Sequence, residues 1–237
     1  FNNDDILKKV IKNRLGMDWY QKKGEDDVEA FVISPRQIVQ GFRSSRVVPA
    51  TSIFKPEIAR FVYEKYSQEG DVVYDYSMGF GGRFLGAMAS GRQYIGVDPL
   101  TQPELENMKK FFDFKNCHLI QACSEDFCLD KNSIDLAFSS PPYYNQEVYA
   151  DDHTQAYMKG EAYFYNEYWA KTLENIKKML KPNKYFVLNV KNYPKMLEMA
   201  QEVFEQTDTV FLRTVRSHLT KGAGIVKNEG IYVFVNS

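Results

Sequence analysis

Residues 138–144 read FSSPPYY and follow IDLAFS, a run with the look of a buried strand. Proline offers no N–H to a sheet ladder, so a Pro-Pro pair must end that strand. What stands at the strand end is a hydroxyl at Ser140, a Pro141 carbonyl whose direction the rings of Pro141 and Pro142 fix, and the ring of Tyr143. A hydroxyl, a rigid carbonyl and an aromatic face form a preorganised set for holding a ligand in one orientation.

A second group surrounds DYSMGFGGRFLGA. Its glycines, Gly79, Gly81 and Gly82, let the backbone turn sharply and approach a ligand where a Cβ would clash. The helix amides that follow can receive a polar or anionic group. The segment is neither a Walker A loop nor a strict GxGxxG, which disfavours a dinucleotide. Asp75 ends the preceding strand facing this turn, and Ser77 lies within it. Asp98, in YIGVDP, ends the next strand about twenty residues on, where a carboxylate can accept both hydroxyls of a ribose. A third strand ends in ACSEDF, where Glu125 and Asp126, the latter preferred, are candidates to lie beside an adenine ring. The same residues could equally cap a short helix. Taken together, two strand-end carboxylates around a glycine-rich loop point to a nucleoside cofactor.

The elements that must position these groups alternate. FKPEIARFVYEKYS reads as a helix with Pro56 in its first turn. DVVYDY is a strand, GGRFLGAMAS a helix, YIGVD a strand, PELENMKKFFDF a helix, and CHLIQA and SIDLAFS are strands. AYFYNEYWAKTLENIKKML is a long helix stopped by Lys181-Pro182, YFVLNV a strand and PKMLEMAQEVFEQ a helix. TVFLRTVRSHL and IYVFVNS flank KGAGIVKNEG, which suits an antiparallel hairpin. The pattern predicts an α/β, Rossmann-like fold: a seven-stranded, mainly parallel sheet with an antiparallel C-terminal hairpin and helices on both faces.

Thirty basic residues against thirty-one acidic ones leave a formal charge of −1, which argues against avid nonspecific nucleic-acid binding. Sixteen Tyr and seventeen Phe supply ample core. The three cysteines, Cys117, Cys123 and Cys128, form no CxxC pair and read as thiols of a reducing cytosol, so no metal site is expected. No apolar run approaches the ~18 residues of a membrane span and no signal peptide is visible, so a cytoplasmic protein is expected. Because the chain begins with Phe1 and not Met, a fragment of a longer protein is expected.

These residues resemble a known family. Ser140-Pro141-Pro142-Tyr143 is similar to the Asp/Asn/Ser-Pro-Pro-Tyr/Phe motif of S-adenosylmethionine-dependent DNA amino-methyltransferases, which modify N4 of cytosine or N6 of adenine. The resemblance covers residues 52–237 and includes FKP, the glycine loop and the Asp ending the second strand. It implies S-adenosylmethionine as cofactor and DNA as partner. An exocyclic amino group is a poor nucleophile because its lone pair is delocalised into the ring. Ser140 Oγ and the Pro141 carbonyl would accept its two hydrogens and localise that lone pair. Tyr143 would stack on a base flipped from the duplex, with Tyr144 lining the pocket. In the family, Ser in the first motif position is commoner among N4-cytosine enzymes, which tilts the expectation that way. The glycine loop departs from the common Asp-Pro-Phe-x-Gly-Ser-Gly form: Asp75, Gly79 and Gly81 match, and the residues between do not. Thr51, Ser52, Phe54 and Lys55 match the segment that closes over the methionine end of the cofactor.

The expected organisation is an N-terminal extension over 1–50, partly helical, and a methyltransferase domain over 51–237 with a lid at about 144–165. The lid candidates Asn145, Glu147, Tyr149 and His153 are expected over the target base, and Arg36, Arg43 and Arg46 at phosphates or the cofactor carboxylate. The small room for target recognition makes a second copy or a separate recognition subunit a candidate partner. A restriction companion, a phage modification enzyme and a solitary regulatory methylase all fit this pattern. Methylation of structured RNA or of a protein glutamine stays open, as does an inactive nucleic-acid-binding subunit with the same fold.

Overall fold

The apolar runs of the sequence become strands β1 (Val72–Asp75), β2 (Gln93–Val97), β3 (Cys117–Ile120), β4 (Ile134–Ser139), β5 (Leu180–Val190), β6 (Glu205–Leu212) and β7 (Glu229–Val235). The computed structural model describes residues 53–144, 155–190, 193–212 and 229–237, with Lys8 and Val10. The chain divides into two units, Phe1–Ser52 and Ile53–Ser237. In the first, Lys8 and Val10 are helical and Val10 is buried. Arg36, Arg43, Arg46, Thr51 and Ser52 lie outside the described residues, as do Asn145, Glu147, Tyr149 and His153.

In the second unit the strands form one sheet in the order β3-β2-β1-β4-β5-β7-β6. β1 to β5 pair in parallel, and β7 runs antiparallel to both β5 and β6. Neighbouring residues on a strand point to opposite faces, so two cores result. On one face α1 (Pro56–Tyr66), α2 (Gly82–Ala89) and α3 (Gln102–Phe112) bring Val62, Tyr63, Phe84 and Leu105 against Val73, Leu136, Phe138 and Val187. On the other, α4 (Ala170–Met179) and α5 (Pro194–Val203) bring Leu173, Ile176, Met196 and Ala200 against Tyr74, Ala137, Phe186 and Leu188. Each large side chain so enclosed contributes about 1.5–3 kcal/mol relative to exposure.

Three local departures from the sequence pattern have physical causes. The helix expected over 162–180 is uneven: a short turn, Glu161–Tyr163, leads into a π-helical segment, Phe164–Trp169, before α4 begins. The wider turn seats Phe164, Tyr165, Tyr168 and Trp169 in the core together. β5 begins before Lys181-Pro182 and not after it. Leu180 pairs with Ile134, and the register then jumps to Tyr185 opposite Leu136. The irregularity within β5 carries Asn183 in the left-handed region at φ 60°, a conformation asparagine tolerates. Finally, α5 ends at Val203, short of the expected Gln206, because Phe204 turns its ring into the core between Phe186 and Phe234, at 4.9 and 6.5 Å. β6 consequently starts at Glu205, and residues 213–219 of the strand expected there lie outside the described set.

Candidate active site

The glycine loop and the Pro-Pro turn both leave the carboxyl edge of the sheet, from the adjacent strands β1 and β4. In an open parallel sheet that edge is where ligands bind. Gly81, at φ 85°, turns the loop into α2. Gly82 is needed for a different reason: a Cβ there would stand 1.9 Å from the Phe54 carbonyl oxygen. The segment before α1 is thus laid directly on the first turn of α2. The Phe54 ring packs edge-on against Phe138, at 5.6 Å, and under the Arg83 guanidinium, at 5.3 Å. Lys55 is exposed and precedes the first turn of α1. Gly82→Ala forces that segment away; we expect a loss of about 1–3 kcal/mol in urea unfolding, together with weaker binding of any ligand at the loop.

Asp75 is fully buried and acts as the hub of the two turns. Arg83 Nε and the Tyr94 hydroxyl donate to its Oδ2 at 2.9 and 2.7 Å. The Ser139 hydroxyl and the Ser77 N–H donate to its Oδ1 at 2.7 and 3.3 Å. Burial opposes the charge on Arg83, but the Asp75 carboxylate more than offsets it and raises the guanidinium above its ordinary value. Burial, then the same carboxylate, pushes the Tyr94 phenol up as well, keeping it a donor. Ser77 also gives its carbonyl to Arg83 Nη2 and its hydroxyl to the Tyr76 carbonyl. The carboxylate that the sequence places facing the loop therefore sits beneath it, tying it to the end of β4.

Asp98 stands where β2 ends. Its Oδ2 accepts the Gly79 N–H at 3.2 Å, and its Oδ1 accepts the N–H groups of Leu100 and Thr101 at 2.9 and 3.0 Å. A carboxylate has about four lone-pair sites, so acceptor capacity remains on this half-buried group. At the end of β3, residues Ser124–Asp126 form a 3₁₀ turn held by Asn175, whose Nδ2 donates to the Ser124 and Glu125 carbonyls at 3.3 and 3.1 Å. Glu125 is buried and accepts the Tyr163 hydroxyl at 3.0 Å, while Asp126 is exposed. Burial, followed by Glu125, pushes the neighbouring Cys123 thiol up to about 11, so it is protonated near neutrality.

Beyond β4, Ser140 is half-buried and its Oγ accepts the Asn189 Nδ2–H at 3.1 Å. Pro141 and Tyr143 are buried and Pro142 is half-buried. The Tyr143 ring stacks on Tyr193, with centroids 5.0 Å apart and planes inclined by 30°. Tyr193 donates its hydroxyl to the Tyr144 carbonyl, and the Tyr144 ring leans on Phe164 at 5.6 Å. Lys195 Nζ lies 3.8 Å from the centroid of the Tyr165 ring, adding a cation beside this aromatic group.

The sequence pattern did not single out Asn189, Tyr193, Arg83 or Tyr94. For Asn189 a signal existed, a polar residue near the end of the otherwise apolar YFVLNV at the same sheet edge. Tyr193 precedes a proline at a helix start, and its sequence alone carries no hint of its contact with Tyr143.

No protein-family model and no curated protein matches the chain. Among solved structures it is similar to a Burkholderia thailandensis 1,6-didemethyltoxoflavin-N1-methyltransferase with bound S-adenosylhomocysteine, at 14% identity and TM-score 0.54, covering 88% of this chain and 92% of that one. It is similar to a tRNA methyltransferase from Aquifex aeolicus, at 10% identity and TM-score 0.55, covering 78% and 70%. An O-methyltransferase from Thermotoga maritima shares 12% identity at TM-score 0.55, covering 80% and 69%. The fold of residues 53–237 is that of the class I, Rossmann-like methyltransferases.

Proposed function

We propose that this chain transfers a methyl group from S-adenosylmethionine to the exocyclic amino group of a DNA base, N4 of cytosine ahead of N6 of adenine. The observation that carries this reading is the end of β4. Ser140 Oγ, the rigid Pro-Pro backbone and the Tyr143 ring stand just beyond the strand next to the one that leads into the glycine loop, and the Ser139–Asp75 hydrogen bond at 2.7 Å joins the two strand ends.

The residues present suit the cofactor. α2 opens without a side-chain cap, so its first amides can receive a carboxylate. Asp98 retains acceptor capacity for ribose hydroxyls, and the Ser124–Asp126 turn places a buried and an exposed carboxylate at the end of the next strand. When bound, the cofactor would supply an electrophilic methyl on a sulfonium, whose methyl–sulfur bond breaks as the C–N bond forms and leaves a neutral thioether. Ser140 Oγ and the Pro141 carbonyl take the two amino hydrogens, which localises the nitrogen lone pair and aims it. The bound amine becomes acidic as its new C–N bond forms, so water can take its proton and no strong base is required. Tyr143 stacks on the flipped base, and Tyr193 covers that ring face when the base is absent.

Incubation with methyl-labelled S-adenosylmethionine and separate DNA, RNA and protein fractions tests this. Label in DNA, recovered on nucleoside analysis as N4-methylcytosine, is the expected result. N6-methyladenine would keep the reaction and change the base. Label only in RNA or in protein glutamine would overturn the DNA assignment, and no transfer together with no cofactor binding would favour a noncatalytic subunit.

A further inference from the structure

Asn189 is 2% exposed, and its two amide atoms are treated differently. Nδ2 donates to Ser140 Oγ at 3.1 Å, whereas Oδ1 is buried with no hydrogen-bond partner among the described residues. A buried carbonyl left unpaired costs about 1–3 kcal/mol, so its presence next to the Pro-Pro turn requires a reason.

The chemistry of Ser140 supplies one. A hydroxyl is both donor and acceptor, and its proton rotates freely. Facing an amino group it is useful only as an acceptor, because a proton pointed at the nitrogen would engage the lone pair that must attack. Aspartate in that position would be an acceptor by nature, whereas serine needs a neighbour to take its proton. An amide turned over by 180° exchanges Oδ1 and Nδ2 in nearly the same positions. It keeps one hydrogen bond to Ser140 but reverses its sense, Ser140 now donating to Oδ1. The count of bonds is unchanged: the turned-over amide leaves Nδ2 unpaired where Oδ1 was, so the two orientations are similar in cost and a bound amine can decide between them.

We propose that Asn189 is a positioning residue for Ser140: its amide turns over to accept the hydroxyl proton, leaving the Oγ lone pairs facing the amine to be methylated. This rests on the reading of Ser140 given above. Asn189 holds its place because its backbone lies in β5, paired with Ile231 of β7 and one residue beyond the Leu188–Ser139 pair. It touches neither cofactor nor reacting atoms and acts only through Ser140.

The test uses Asn189→Leu, Ser140→Ala and the double variant, with heat-denatured mixed-sequence DNA as methyl acceptor. Asn189→Leu is expected to lower kcat by roughly tenfold to a hundredfold, with KM for S-adenosylmethionine and the melting temperature little changed. The double variant is expected to be no slower than Ser140→Ala, because a residue acting through Ser140 has nothing to act on once Ser140 is gone. Losses that multiply in the double variant, or a loss of kcat matched by a loss of cofactor binding, would overturn the proposal. An arm without turnover separates it from the DNA assignment. In protein labelled with 15N-asparagine, the Asn189 side-chain amide, identified by its absence in Asn189→Leu, is expected to shift on Ser140→Ala. If it shifts while DNA takes no label, the pairing stands and the choice of substrate fails. If it does not respond to Ser140, the inference is wrong.

Discussion

Asp75→Ala is expected to lower the free energy of unfolding by about 3–5 kcal/mol, the cost of leaving a buried ionic partner alone. Among the described residues four donors converge on that carboxylate, three of them, Arg83, Tyr94 and Ser139, from outside its own turn and within the core. Removing it strands a guanidinium that is 5% exposed, along with two hydroxyls. Urea titration of the isolated chain measures the effect. A loss no larger than that of a surface substitution, within about 0.5 kcal/mol, would show that the hub does not hold the two turns together. Asp75→Ala combined with Arg83→Met should recover much of the loss, since removing both charges replaces an unpaired ion by an apolar contact.

Ser140→Ala carries the second large effect, on rate and not on stability. Deleting one positioned acceptor should cut methyl transfer by about a hundredfold to a thousandfold, the scale seen when a single preorganised hydrogen-bonding group is removed from a reaction centre. Binding of S-adenosylhomocysteine, read as a rise in melting temperature, should be unchanged because Ser140 follows the end of β4 and is not in the glycine loop. Tyr143→Ala should weaken base binding by about 1–3 kcal/mol, the worth of one stacked base. Full transfer by both variants would remove the mechanism, whatever the substrate.

Much of this arrangement could be read from residue order. The alternation of apolar runs with helical stretches set out the parallel sheet, and Pro141-Pro142 marked where β4 stops because no proline can continue a ladder. What could not be read depends on contacts between distant segments. Asp75 has the same local context whether it faces a ligand or lies under the loop; only the arrival of Arg83 and Tyr94 decides that. Tyr193 and Tyr143 are fifty residues apart and meet only once β4 and β5 are paired. The aromatic stretch Phe164–Trp169 has an ordinary helical spacing, and its π-helical turn follows from the need to seat several rings under the sheet. Local composition records element type well, and it records the closure of a polar network poorly.

The position of β7 has a consequence for how this molecule is made. It is the last of the seven described strands in chain order and yet lies inside the sheet, between β5 and β6. Until residues 229–235 emerge, β5 remains an open edge, and β6 has no partner beside it. A nascent chain would therefore carry β1 to β3, with the glycine loop and Asp98, before the strand bearing Asn189 gains its β7 neighbour. An exposed, apolar YFVLNV edge is a hazard for mispairing during that interval.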